Sequence, residues 1–200
     1  MLWMSRLLCV LTRICLMKTS QQSNDSLNSP NKRKMQDDLP TFGPRKKLIK
    51  FLAQKVIKGA KISNAPVSLQ RVIEHLQTMH DLDVQKITAG DKVSGLLVVC
   101  KEVDSEYSTI GFNGNHPWCR RRFTIAHEIG HLLLGHGCNK SMDDDSLNET
   151  EANQFAAELL VPQSFLKKDF AQTPNIQDLA KLYRVSEQAI TIKVMGSRLL

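Results

Sequence analysis

Beyond residue 44 the chain alternates between two hydrophobic periods, and the change of period predicts its elements. Leu48, Ile49, Leu52, Val56 and Ile57 recur at helical spacing with lysines between them. A second helix is expected over about residues 66–79, with Pro66 suited to its first turn and Val67, Val72, Ile73 and Leu76 on its apolar side. The period then shortens to two. Leu82 to Ile87 alternates like a strand, Leu96 to Cys100 is a continuous apolar run, and Tyr107 to Phe112 is a third β-like stretch. Gly90, Gly95, Gly111 and Gly114 punctuate these segments as turns. Two helices are expected next, near 117–134 and 146–160, with Asp143, Asp144 and Asp145 in a solvated loop between them. From Pro174 onward the pattern reads as a shorter helix pair resembling a helix-turn-helix over 174–198, with Ser186 as the N-cap of the last helix. Together these elements specify an α+β domain with a small sheet inserted early and helices afterwards.

Charge divides the chain differently. Residues 1–61 hold thirteen Lys and Arg against three Asp and Glu, and the remainder holds fourteen against seventeen. A basic head therefore joins a slightly acidic body. Residues 1–43 are expected to form a disordered basic extension and residues 44–200 the folded domain, since 18–43 are rich in Ser, Asn, Gln and Lys with Pro30 and Pro40 among them. The first twenty residues are too short and too charged for a membrane span, because Arg6 and Arg13 interrupt their leucines. They read either as a targeting segment or as the product of a start site placed upstream of Met17 or Met35. The five cysteines are odd in number and show no C-x-x-C spacing, which excludes a disulfide framework and points to a reducing, cytoplasmic setting.

The chemistry concentrates in Phe123–His131, which contains H-E-x-x-H. On a helix, His127 and His131 lie one turn apart on one face and can reach one ion, for which zinc is the expected choice. Glu128 beside them is placed to take a proton from a metal-bound water. Ile125, Ile129, Leu132 and Leu133 cluster on the opposite side, so the imidazoles should line a groove while the aliphatic stripe packs inward.

A third ligand is needed. A histidine six residues past His131 is ruled out, because that position is Gly137; His136, one place early, is expected to be exposed at a helix end, and Cys138 is a remote substitute. The alternative is a glutamate on the following helix. Ala152, Phe155, Ala156, Leu159 and Leu160 define its buried face, and Glu149 falls about 50° from the centre of that face on a helical wheel. Glu151 and Glu158 fall on the opposite flank, although Glu151 stays an alternative metal ligand. Glu149 also completes a capping box with Ser146, in which it would only satisfy backbone donors. Asn153, one turn after Glu149, is a candidate support for a ligand.

The segments Arg122–Leu134 and Glu149–Pro162, the latter reading E-x-E-A-N-x-F-A-A-E-L-L-x-P, resemble the ImmA/IrrE metallopeptidase family, and the tail Ile176–Ile190 is similar to its helical end. The likeness covers about residues 45–198, with Val161 standing where methionine is usual. It implies a small zincin-like fold, zinc ligands at His127, His131 and Glu149, and Glu128 as general base. It further implies a cytoplasmic enzyme that cleaves a helix-turn-helix repressor, relieving repression of mobile-element or stress-response genes.

Two rival readings accompany it: a DNA-binding regulator, and a zinc-stabilised scaffold without hydrolysis. The tail from Asn175 carries only four basic residues (Lys181, Arg184, Lys193, Arg198), so packing on the core is expected of it rather than direct nucleic-acid contact. Manganese, cobalt or iron would suit the same ligands. His116 and Tyr107 are the candidates for stabilising an oxyanion, and Ser108–Asn113 is expected to be an edge strand that pairs with an extended substrate. The substrate's identity and the oligomeric state are not legible in the residues.

Overall fold

The computed structural model describes residues 44–101, 106–136, 142–197 and 199. The expected disordered extension and Cys138 lie outside these residues. The elements run α1 (Lys46–Gly59), α2 (Leu69–Gln77), β1 (Asp81–Ile87), β2 (Gly95–Lys101), β3 (Glu106–Asn113), α3 (Trp118–Leu134), α4 (Met142–Leu160), α5 (Gln163–Gln172), α6 (Ile176–Tyr183) and α7 (Glu187–Gly196). The architecture is α+β: one three-stranded sheet with helices packed around it, consistent with a small zincin-like domain.

The core follows from the apolar periodicity. Ile49, Ala53, Val56 and Ile57 are the buried face of α1, while Leu48 stays largely outside. Pro66 is not in the first turn of α2. The Ser68 hydroxyl caps that helix by accepting the Arg71 N–H, so the helix begins at Leu69. α5 occupies a stretch for which the apolar spacing predicts no element. α6 and α7 join the core through Leu179, Tyr183, Ile190 and Val194. Two polar contacts hold them there: the Tyr183 hydroxyl donates to Asp169 at 2.7 Å, and Lys193 Nζ lies 2.6 Å from Glu158. Ser186 caps α7 as expected.

The sheet order is β1-β3-β2, with β1 parallel and β2 antiparallel to β3. The expectation that Ser108–Asn113 is an edge strand is therefore wrong. Both edges of β3 are already hydrogen-bonded to neighbours, and among the described residues the outer strands are β1 and β2. Spatial order is set by tertiary pairing, which residue alternation does not encode. Buried Asn113, at the end of β3, donates from its amide to the carbonyls of Ala89 at 3.0 Å and Val93 at 2.9 Å. It thereby fixes the loop that leads into β2.

α4 begins at Met142, so Asp143–Asp145 belong to a helix rather than a solvated loop. Ser146 sits inside that helix and cannot be its N-cap, which removes the capping-box reading of Glu149. The Ser146 carbonyl accepts the Thr150 hydroxyl in the manner of an ordinary helical turn.

α3 and α4 meet at Gly130. A β-carbon there would lie 3.1 Å from Phe155 Cδ1 and 3.2 Å from the Ala152 Cα, tighter than ordinary contact. Glycine weakens a helix interior, and here it permits the two backbones to approach. Gly130→Val should lower stability by about 1–3 kcal/mol through overpacking, measurable by urea denaturation; wild-type stability would show that α4 moves aside freely.

Candidate metal centre

α3 brings His127 and His131 together because they are one turn apart, and the contact at Gly130 brings α4 alongside them. The two Nε2 atoms lie 2.8 Å apart. Glu149, on α4, places Oε2 3.4 Å from His127 Nε2 and Oε1 3.1 Å from His131 Nε2. Three donor atoms thus converge within 4.8 Å of one another. For comparison, a tetrahedral zinc with bonds of 2.0–2.1 Å requires ligand separations of about 3.3 Å. Donor types and spacing both fit a divalent metal of that size.

The imidazoles are deeper than a groove lining: His127 is fully buried and His131 nearly so. Burial pushes the His127 pKa down, outweighing the opposing pull of the Glu149 carboxylate, so the ring is neutral and can offer a lone pair. Glu149 is half-buried, and although burial opposes its charge, the two histidines hold its carboxyl well below the usual range.

The remaining ring nitrogens are also engaged. His127 Nδ1 lies 3.0 Å from Asn153 Oδ1, one turn beyond Glu149 on the same helix. An amide oxygen only accepts, so the proton sits on Nδ1 and the Nε2 lone pair faces the other donors. His131 Nδ1 lies 3.0 Å from His136 Nδ1, and His136 Nε2 lies 2.9 Å from Glu151 Oε2. The carboxylate takes the His136 Nε2 proton, which leaves His136 Nδ1 to accept from His131 Nδ1–H. In the neutral ring, His131 Nε2 then also carries the lone pair. Both tautomers are set by neighbours rather than by the metal.

This chain of contacts corrects two expectations. The His136 side chain is 2 % exposed, not an open helix end. Gly135, at φ 68°, ends α3 in the left-handed region, and the His136 N–H returns to the His131 carbonyl at 3.0 Å. That turn folds the second imidazole back against the first. Glu151 is 1 % exposed rather than on an outer flank, because α4 is covered by α1 as well as by α3. Its carboxylate is taken by Arg45, through the backbone N–H at 2.7 Å, Nε at 3.0 Å and Nη2 at 2.6 Å. Glu151 therefore stands outside the converging group. Arg45 is the residue that sequence reasoning missed altogether; no motif marks it.

Glu128 is 3 % exposed and faces β2. A β-carbon on Gly95 would come within 3.0 Å of its Oε1, so the first residue of β2 leaves it room. Burial first, and the Glu149 charge second, push its pKa up to about 8. His116 is buried, with Nε2 3.1 Å from the Asp91 carbonyl, and Tyr107 lies at the start of β3 opposite Asp81 and Cys100.

A family model described as Peptidase_M78, IrrE N-terminal-like domain, matches residues 80–195. No curated protein matches the chain. Among solved structures, a Mycobacterium tuberculosis transcriptional regulator is similar, with a TM-score of 0.55 and 13% sequence identity. The likeness covers 73% of this chain and 46% of that one, and it bears on the fold alone.

Burial raises Glu151, but the Arg45 hydrogen bonds outweigh it and hold the carboxyl down to about 2. Its stabilising contribution is complete above its ordinary value of about 4.5 and is lost as pH falls towards about 2. Thermal unfolding of Glu151→Gln should accordingly show a shallower loss of stability over that interval than wild type. The same substitution should weaken metal binding by about 10–100-fold, since it loosens the His136 support of His131. Competition with a chelator measures this, and unchanged affinity would mean the chain of contacts does not reach the centre.

Proposed function

Because the chain belongs to the Peptidase_M78, IrrE N-terminal-like family and carries a metallopeptidase-type domain, we propose that it is a zinc-dependent endopeptidase whose substrate is a helix-turn-helix transcriptional repressor. The observation that carries this reading is the convergence of His127, His131 and Glu149 next to a buried carboxyl on the same turn of α3. In this proposal His127, His131 and Glu149 hold the metal, Asn153 orients His127, and Glu128 is the catalytic base. A zinc ion bound there would acidify a water molecule and polarise a carbonyl.

The chain's own groups divide the remaining work. Glu128 takes a proton from the attacking water and later hands it to the leaving amine. Its raised proton affinity suits both transfers near neutral pH, and a nearby cation would draw the value down. Glu149 stays ionised and His127 neutral, the states that bind a metal without first losing a proton. The extended-substrate role expected of β3 passes to β2. That strand is at an edge of the sheet among the described residues, and its first residue, Gly95, lies against Glu128.

The repressor substrate and the cytoplasmic setting rest on the family resemblance and on the cysteine pattern; Cys100 and Cys119 are free thiols. No helix among the described residues is long and apolar enough to cross a membrane. A second reading, a regulator without catalysis, is favoured by one observation: the similar solved protein is described as a transcriptional regulator. The chain spans less than half of that protein.

Co-expression with repressors encoded beside the chain tests the proposal. Wild type should cut one of them, and Glu128→Gln should retain one metal per chain while cleavage falls by at least about 100-fold. Cleavage that survives in Glu128→Gln removes the base from its role. If neither protein cuts and both still alter transcription, the regulator reading prevails.

A further inference from the structure

Away from the metal centre, the first turns of α3 face α2 and β1 across a cleft of about 670 Å³. Three arginines line it: Arg121 and Arg122 from α3, and Arg184 from the turn between α6 and α7. Arg122 is 6 % exposed. One of its Nη atoms donates to the Val67 carbonyl at 2.9 Å, whereas its Nε has no partner. Arg121 Nε is likewise buried and unpartnered. No ion pair among the described residues involves any of the three. The two carboxylates on the lining are otherwise engaged, Glu74 with the Gln70 amide and Asp83 with its own strand.

A buried guanidinium without a counter-charge is costly, and here burial and the neighbouring Arg184 both act against the charge of Arg122. An anion in the cleft would balance such an arrangement. The rest of the lining suggests what the anion is attached to. Trp118 is half-exposed at the rim, with the Arg121 guanidinium 5.4 Å from its ring centre, and Ile73, Val84, Phe112 and Ile125 are apolar. Guanidinium forks match the paired oxygens of phosphate and carboxylate, and aromatic or aliphatic walls take a ring.

We propose that this cleft is a binding site for an organic anion. Its phosphate or carboxylate group sits on Arg121, Arg122 and Arg184, and its apolar, ring-bearing body lies against Trp118 and the aliphatic wall. The site is separate from the metal centre and does not depend on the chain being a peptidase.

Titration calorimetry of the full-length zinc-loaded chain with phenyl phosphate and with benzoate tests this. One saturable site per chain is expected for at least one probe, and the stronger arm identifies the head group as phosphate or carboxylate. Arg184→Gln, at an exposed position, and Arg121→Gln, at a half-buried one, should each weaken binding at least tenfold without lowering the melting temperature. Chelator-treated protein should bind equally well, which separates the cleft from anion capture by the metal. Absence of heat with both probes, or binding that survives both arginine substitutions, overturns the proposal.

Discussion

The approach of α3 to α4 at Gly130 is the constraint on which the centre depends. His127 and His131 share a face by helical period alone, but their third partner comes from another helix. Glu149 can reach them only if the two axes are close, and a side chain at 130 would press on Phe155 and Ala152. The same contact brings Asn153 to His127, so a donor and the support of another donor arrive on one helix. Packing and coordination geometry are thus one requirement, since well-packed interiors resist adjustments of even a methyl group.

Behind the donors lies a buried polar network in which each member satisfies the next. Arg45 neutralises Glu151, Glu151 takes the proton of His136, and His136 accepts from His131. Polar groups buried in this way are costly when any link is missing. Their arrangement links the Glu151 carboxylate to the His131 ring without placing that charge beside Glu149. The opposite end of α3 has the reverse character, with arginines that no carboxylate among the described residues pairs with. One helix therefore separates the group of His127, His131 and Glu149 from the arginine-lined cleft.

Much of this was legible beforehand because it follows from period. The three strands, the extent of α3 and the Ser186 cap all come from spacing on a helix or strand. What escaped prediction has equally specific causes. A helical wheel assumes one buried face, and α4 has helices on two sides, so Glu151 seemed to point outward. His136 looked exposed because its burial depends on the left-handed turn at Gly135. The early start of α4 removed a cap that the local motif supported well. Strand order, which put β3 in the middle, and the pairing of Arg45 with a residue 106 positions away are both tertiary facts.

That last pairing bears on where the folding unit begins. The family match opens at residue 80, on the threshold of β1, whereas the guanidinium that balances Glu151 belongs to residue 45. A fragment trimmed to the matched span would take Arg45 away from a deeply enclosed carboxylate and leave that charge without its guanidinium, a destabilising change. It would also strip α1 from the outer side of α4. The autonomous domain is thus longer at its leading end than the segment by which its kinship is recognised.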